Sequence, residues 1–131
     1  EAPNMVDDDI TTESVTVPEE FAKDNETRII EPLSDNFIEW IEFVKGREGS
    51  FQQAKNLKRK WEKAKKSIGR DWPHDCLRHS YASYHFAMFR DAGLTAKNLG
   101  HPSPTLLRKD YNNAVTKAEA ARFWSIMPGL K

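Results

Sequence analysis

The chain lacks the features that would place it in several large classes. Cysteine occurs once, at Cys76, in 131 residues, which excludes an internal disulfide and fits a reducing compartment. No apolar run could span a bilayer and no stretch has the pattern of a signal peptide, so a soluble protein with no membrane role is expected. There is no internal repeat and no low-complexity tract. Four histidines and one cysteine stand at no spacing that suits zinc, so no metal is expected. Net charge is missing too, because twenty Lys and Arg balance twenty Asp and Glu.

That balance hides a local asymmetry. Residues 1–35 carry eleven acidic and two basic side chains, whereas residues 55–70 carry eight basic and one acidic. A nucleic-acid footprint depends on local charge. Lys55, Lys58, Arg59, Lys63 and Lys66 are therefore candidate contacts to a DNA backbone, with Lys60, Lys65 and Arg70 beside them.

At this length the chain is expected to form one domain, residues 1–131, with a real core. Ser14-Val15-Thr16-Val17 and Thr27-Arg28-Ile29-Ile30 are β-branched and alternating, and the turn-rich Ala22 to Glu26 joins them. These features predict a hairpin within a β element over about 10–31. Helices follow over about 34–126, so the fold class expected is mainly α with a small antiparallel β-hairpin. Phe37, Ile38, Ile41 and Val44 mark the first helix, which is expected to close near Gly46. Ser50 and Gln53 form a capping box for a second, lysine-coated helix, with Phe51, Ala54, Leu57, Trp61, Ala64 and Ile68 on its apolar face.

Beyond Pro73, a third helix is predicted from near Asp75 to a cap at Gly93, with Leu77, Tyr81, Tyr84 and Met88 as its apolar stripe. Thr95 to Leu99 reads as a short turn. Ser103-Pro104 is a strong helix start, and Thr116 with Glu119 forms a further capping box before Ala120, Phe123 and Trp124. Trp40, Trp61, Phe89, Phe123 and Trp124 are expected in the core. His79 and His85 are expected to support helix packing.

Three short segments carry chemistry together: Leu77-Arg78-His79-Ser80, then Leu99-Gly100-His101, then Tyr111. A free tyrosine, with a pKa of about 10, is an anion only roughly once in a thousand at neutral pH, so it needs cations or a base to act as a nucleophile. A planar arginine such as Arg78 can meet the charge that builds on phosphate oxygens with two parallel hydrogen bonds. His101 can donate to the same oxygens or handle the tyrosine proton.

In order and spacing these segments resemble the catalytic domain of the tyrosine recombinases, the phage-type integrases, over about Val15 to Trp124. The resemblance implies site-specific cleavage and rejoining of double-stranded DNA through a 3′-phosphotyrosine intermediate. Tyr111 would be the nucleophile, Arg78 the phosphate clamp, His101 the proton-transfer or phosphate-contact group, and Lys23, between the two strands, the general acid. The family has a histidine three residues before Arg78, where this chain has Asp75 with His74 one step earlier; either could take that place.

A second family arginine lies ahead of the hairpin, and Arg28 is not expected to replace it, since it fits the strand position after the lysine. The resemblance thus implies an incomplete catalytic fragment, inactive by itself, of a protein that self-assembles on DNA. Its setting would be the cytoplasm, at the nucleoid, of a bacterium or phage-infected cell. The segment after Asn113 is a candidate partner contact, with packing on its own domain the other choice. The competing reading is a non-catalytic DNA-binding or assembly module descended from a recombinase, and a third is a helical interaction domain without a nucleic-acid role.

Overall fold

A computed structural model describes residues 5, 7–22, 24–48 and 56–129, apart from the side chains of Glu48 and Leu57. Among the described residues six α-helices, two short 3-10 turns and one two-stranded antiparallel sheet form, so the fold is mainly helical, as the hydrophobic periodicity predicts. Strand β1 (Val15–Val17) pairs with β2 (Arg28–Ile30) in the register Val15 to Ile30, Thr16 to Ile29 and Val17 to Arg28. Val15 and Val17 are buried and Thr16 between them is not, the alternation a one-sided strand requires. They join Met5 and Ala22 in a small core, against which Ile10, Phe21, Ile30 and Leu33 pack.

Helix α1 (Asp35–Glu48) runs past Gly46 rather than ending there. It buries Ile41 and is tied to the chain's far end, where Trp40 Nε1 donates to the carbonyl of Ile126 at 3.1 Å. Helix α2 (Leu57–Ser67) follows Asn56, which has left-handed backbone. The predicted capping box at Ser50 and Gln53, together with Phe51, Ala54 and Lys55, lies outside the described residues. Lys58, Arg59, Lys60, Lys63 and Lys66 are all exposed on α2.

Helix α3 (Cys76–Phe89) stops earlier than predicted, because Arg90 adopts a left-handed conformation and Asp91 caps a new helix by accepting from the Leu94 amide. Gly93 therefore sits inside α4 (Ala92–Leu99), and Thr95 to Leu99 is helix rather than turn. Helix α5 (Pro104–Tyr111) starts at Ser103-Pro104 as predicted, with the Ser103 hydroxyl accepting from the Leu106 amide. Helix α6 (Lys117–Trp124) opens with the predicted Thr116–Glu119 capping box.

The core among α3 to α6 is built on small residues. Ala82, Ala87, Ala92, Ala96 and Ala120 are buried, so the helices approach closely around Phe86 and Leu107. The large residues expected in the core lie further out: Trp40, Trp61 and Phe89 are exposed, and Phe123 and Trp124 are half-buried. Leu77 is exposed as well, leaving Tyr81, Tyr84 and Met88 half-buried as the outer margin of the α3 packing face. Helix α6 docks on α3 of its own domain, with Tyr84 and Phe123 stacked at 4.1 Å and Trp124 Nε1 donating to the Tyr84 carbonyl at 3.2 Å. No helix among the described residues is long and apolar enough to cross a membrane.

Candidate active site

Arg78 and His79 lie in the first turn of α3, and Tyr111 is the last residue of α5. Helices α3 and α5 share the Phe86, Ala92, Ala96 and Leu107 core, and Leu99 and Tyr111 pack on its edge. Packing of two separate helices therefore brings Tyr111 to the start of α3. His79 Nδ1 and Tyr111 Oη are 2.5 Å apart, a short hydrogen bond across 32 residues of chain. The two rings sit 5.9 Å apart with a tilt of 40°.

Three influences act on the Tyr111 hydroxyl. Partial burial raises its pKa above the ordinary value of a phenol and the neighbouring Asp110 charge adds to the rise, while Arg78 opposes both. The resting side chain is therefore a neutral phenol. An anion built beside it meets Arg78 and the amino end of α3, both of which favour negative charge.

His101 is held by a different device. Helix α4 ends with Gly100 at φ +60°, and the amides of Gly100 and His101 return to the carbonyls of Lys97 and Ala96 at 3.0 and 2.8 Å. A side chain at position 100 would be strained, and its Cβ would lie 2.8 Å from Cζ of Arg28. The glycine of the Leu-Gly-His segment thus serves two needs at once: the left-handed turn and the close approach of a guanidinium from β2. The His101 ring is fixed by Ser103, whose carbonyl and amide lie 3.1 and 3.2 Å from Nδ1.

The remaining predicted residues are placed differently. His74 is almost fully exposed and faces Asp75, with 3.4 Å between Nδ1 and Oδ2. Asp75 has left-handed backbone, and its carbonyl accepts the His79 amide at 2.9 Å. No side-chain hydrogen bond or ion pair among the described residues joins His74, Asp75 or His101 to Tyr111. Lys23 lies outside the described residues, on the connection between β1 and β2.

His85 supports packing, as expected. It is buried, stacked on Tyr81 at 5.0 Å, and 2.7 Å from the Thr95 hydroxyl. Thr95 spends its one hydroxyl proton on the Asp91 carbonyl at 2.7 Å, so His85 Nδ1 must be the donor to Thr95. Burial pushes this imidazole down to about 4, with the Asp91 charge pulling the other way.

His79 departs from its expected packing role, because the structure puts its ring on the phenol. The signal in the sequence is the Leu77-Arg78-His79-Ser80 segment itself, which sets His79 beside the site arginine on the same helix turn. Among the described residues no group of His, Cys, Asp and Glu gathers in a way that could hold a metal ion. No protein-family model, no curated protein and no solved structure matches the chain.

Proposed function

We propose that the protein breaks and rejoins double-stranded DNA in the manner of a tyrosine recombinase, with Tyr111 as nucleophile. The observation that carries this reading is the contact of His79, beside Arg78 in the first turn of α3, with Tyr111 at the end of α5. A phenol, a guanidinium and an imidazole so arranged suit attack on a phosphodiester. Tyr111 Oη bonds to phosphorus, the bond to the 5′ oxygen breaks, and Arg78 meets the charge on the non-bridging oxygens.

The phosphotyrosine link stores the phosphodiester bond for rejoining to another 5′ hydroxyl, so the step needs no nucleotide cofactor. By family resemblance His101 would donate to the same phosphate and Lys23 would protonate the leaving oxygen. Exposed Lys58, Arg59, Lys63 and Lys66 on α2, with Lys55 just ahead of it, would neutralise backbone phosphates, and copies of the protein would assemble on DNA at the nucleoid. The second reading is a DNA-binding module without chemistry, favoured by Asp75, a carboxylate where the family has a histidine.

A pool of duplexes with random sequence around one 5′-bridging phosphorothiolate distinguishes the two. Its sulfur leaves without a proton and does not rejoin, so a covalent product accumulates. The recombinase reading expects a denaturant-resistant protein–DNA adduct that Tyr111→Phe abolishes. Binding to the duplexes with no adduct would favour the non-catalytic module.

A further inference from the structure

We propose that His79 is a catalytic residue, the general base that takes the Tyr111 proton during attack on DNA and returns it on rejoining. The inference rests on the recombinase reading and adds to it a role for His79 that the resemblance does not assign.

Geometry selects His79 from the four histidines. His74 faces Asp75 in solvent, His85 is enclosed in the helical core with its Nδ1 committed to Thr95, and the His101 ring is fixed on Ser103. Only His79 touches the phenol oxygen. To act as the base, Nδ1 accepts the phenol O–H, which places the imidazole hydrogen on Nε2. The side chain is exposed, and the imidazole can exchange its proton with water between turnovers.

The charge environment explains why a base is needed. Burial and Asp110 hold Tyr111 in its neutral form, so Arg78 alone does not prepare a phenolate. In the forward step the Oη–H proton moves to His79 Nδ1 as Oη bonds to phosphorus. The 5′ oxygen departs and takes its proton from a general acid, the role that the resemblance gives to Lys23. On rejoining, an incoming 5′ hydroxyl returns its proton to that group and attacks phosphorus, and the departing Tyr111 oxygen recovers its proton from His79. The charged and titratable groups around His79 are Arg78 and Asp75 at the start of α3, and Tyr111 and Asp110 at the end of α5. A base accepts only in its unprotonated form, so a rate that depends on one falls on the acid side of its pH profile.

The test follows adduct formation on the phosphorothiolate pool across pH, using the full-length protein and its Tyr111→Phe, His79→Gln and His79→Ala variants. The sulfur leaving group needs no general acid, so the rate reports on the nucleophile and its base. His79→Gln is expected to slow adduct formation about a hundredfold and to abolish the acid limb. Added imidazole is expected to restore part of the rate to His79→Ala and none to Tyr111→Phe. A wild-type rate in His79→Gln, or a slower rate with the acid limb kept and no response to imidazole, would overturn the assignment of the base. Absence of any adduct from the unsubstituted protein would instead overturn the recombinase reading.

Discussion

The helical cluster α3 to α6 and the basic helix α2 are built from opposite materials. In the cluster, alanines and Leu107 are buried, helix starts are capped by Asp91, Ser103 and Thr116, and aromatic rings stack at the margin. Helix α2 keeps Trp61 40% exposed and Ile68 52% exposed, with basic side chains along almost its whole length. Its one acidic residue, Glu62, is paired with Lys65, whose hydrogen bond lowers the carboxyl below its ordinary value. On the proposed reading the difference has a purpose: packing against neighbours fixes the position of a reacting side chain, as Tyr111 and His79 would need, whereas a phosphate-contacting surface needs only charge within reach, which α2 would supply without burying much.

If this division is right, substitutions in the two regions should separate folding from binding. The largest loss of stability is expected from Leu107→Ala, since Leu107 is fully buried where α3, α4 and α5 meet. A cost of about 3 kcal/mol in denaturant unfolding is expected, with Tyr111 displaced as a consequence.

The next effect is a pH dependence centred on His85. Its folded pKa is lowered from 6.5 to about 4, so on acidification the unfolded chain takes up the proton first. The stabilisation is fully present above about pH 6.5 and is lost as pH falls towards 4, up to roughly 3 kcal/mol for a shift of this size. His85→Gln should flatten the stability curve across that window. An equally steep curve in the variant would place the proton uptake elsewhere.

Thr116→Ala removes the cap that holds the start of α6 and should cost about 1 kcal/mol, read as a lower midpoint of thermal unfolding. The smallest effect on stability is expected on α2. Joint replacement of Lys58, Arg59 and Lys63 by Gln should change unfolding by no more than about 0.5 kcal/mol. The same variant should bind duplex DNA more weakly and with a shallower salt dependence, by about 0.9 in the log–log slope for each phosphate no longer neutralised. A large stability loss with an unchanged salt slope would show that α2 serves packing instead.

The features legible in the sequence are those written locally. The hairpin pattern, the Ser103-Pro104 start and the Thr116–Glu119 box lie within a few residues of the structure they specify, and each forms. The break between α3 and α4 is less visible, because it depends on Arg90 taking a left-handed conformation that its residue type does not favour. The large aromatic residues depart from expectation in another way: alanines fill many of the buried positions of α3, α4 and α6, while Trp40 and Phe89 stay exposed. The candidate site is half legible. Arg78, His101 and Tyr111 stand out by spacing, but the contact of His79 with Tyr111 arises only when α3 and α5 share a core.

The central claim is that Tyr111, beside Arg78 and His79, forms a covalent bond to DNA. The most direct test is mass spectrometry of peptides from the denaturant-resistant product formed on phosphorothiolate duplexes. The account predicts a nucleotide attached through its 3′ phosphate to the peptide that contains Tyr111. A nucleotide on another residue, or duplex bound with every peptide unmodified, would contradict it.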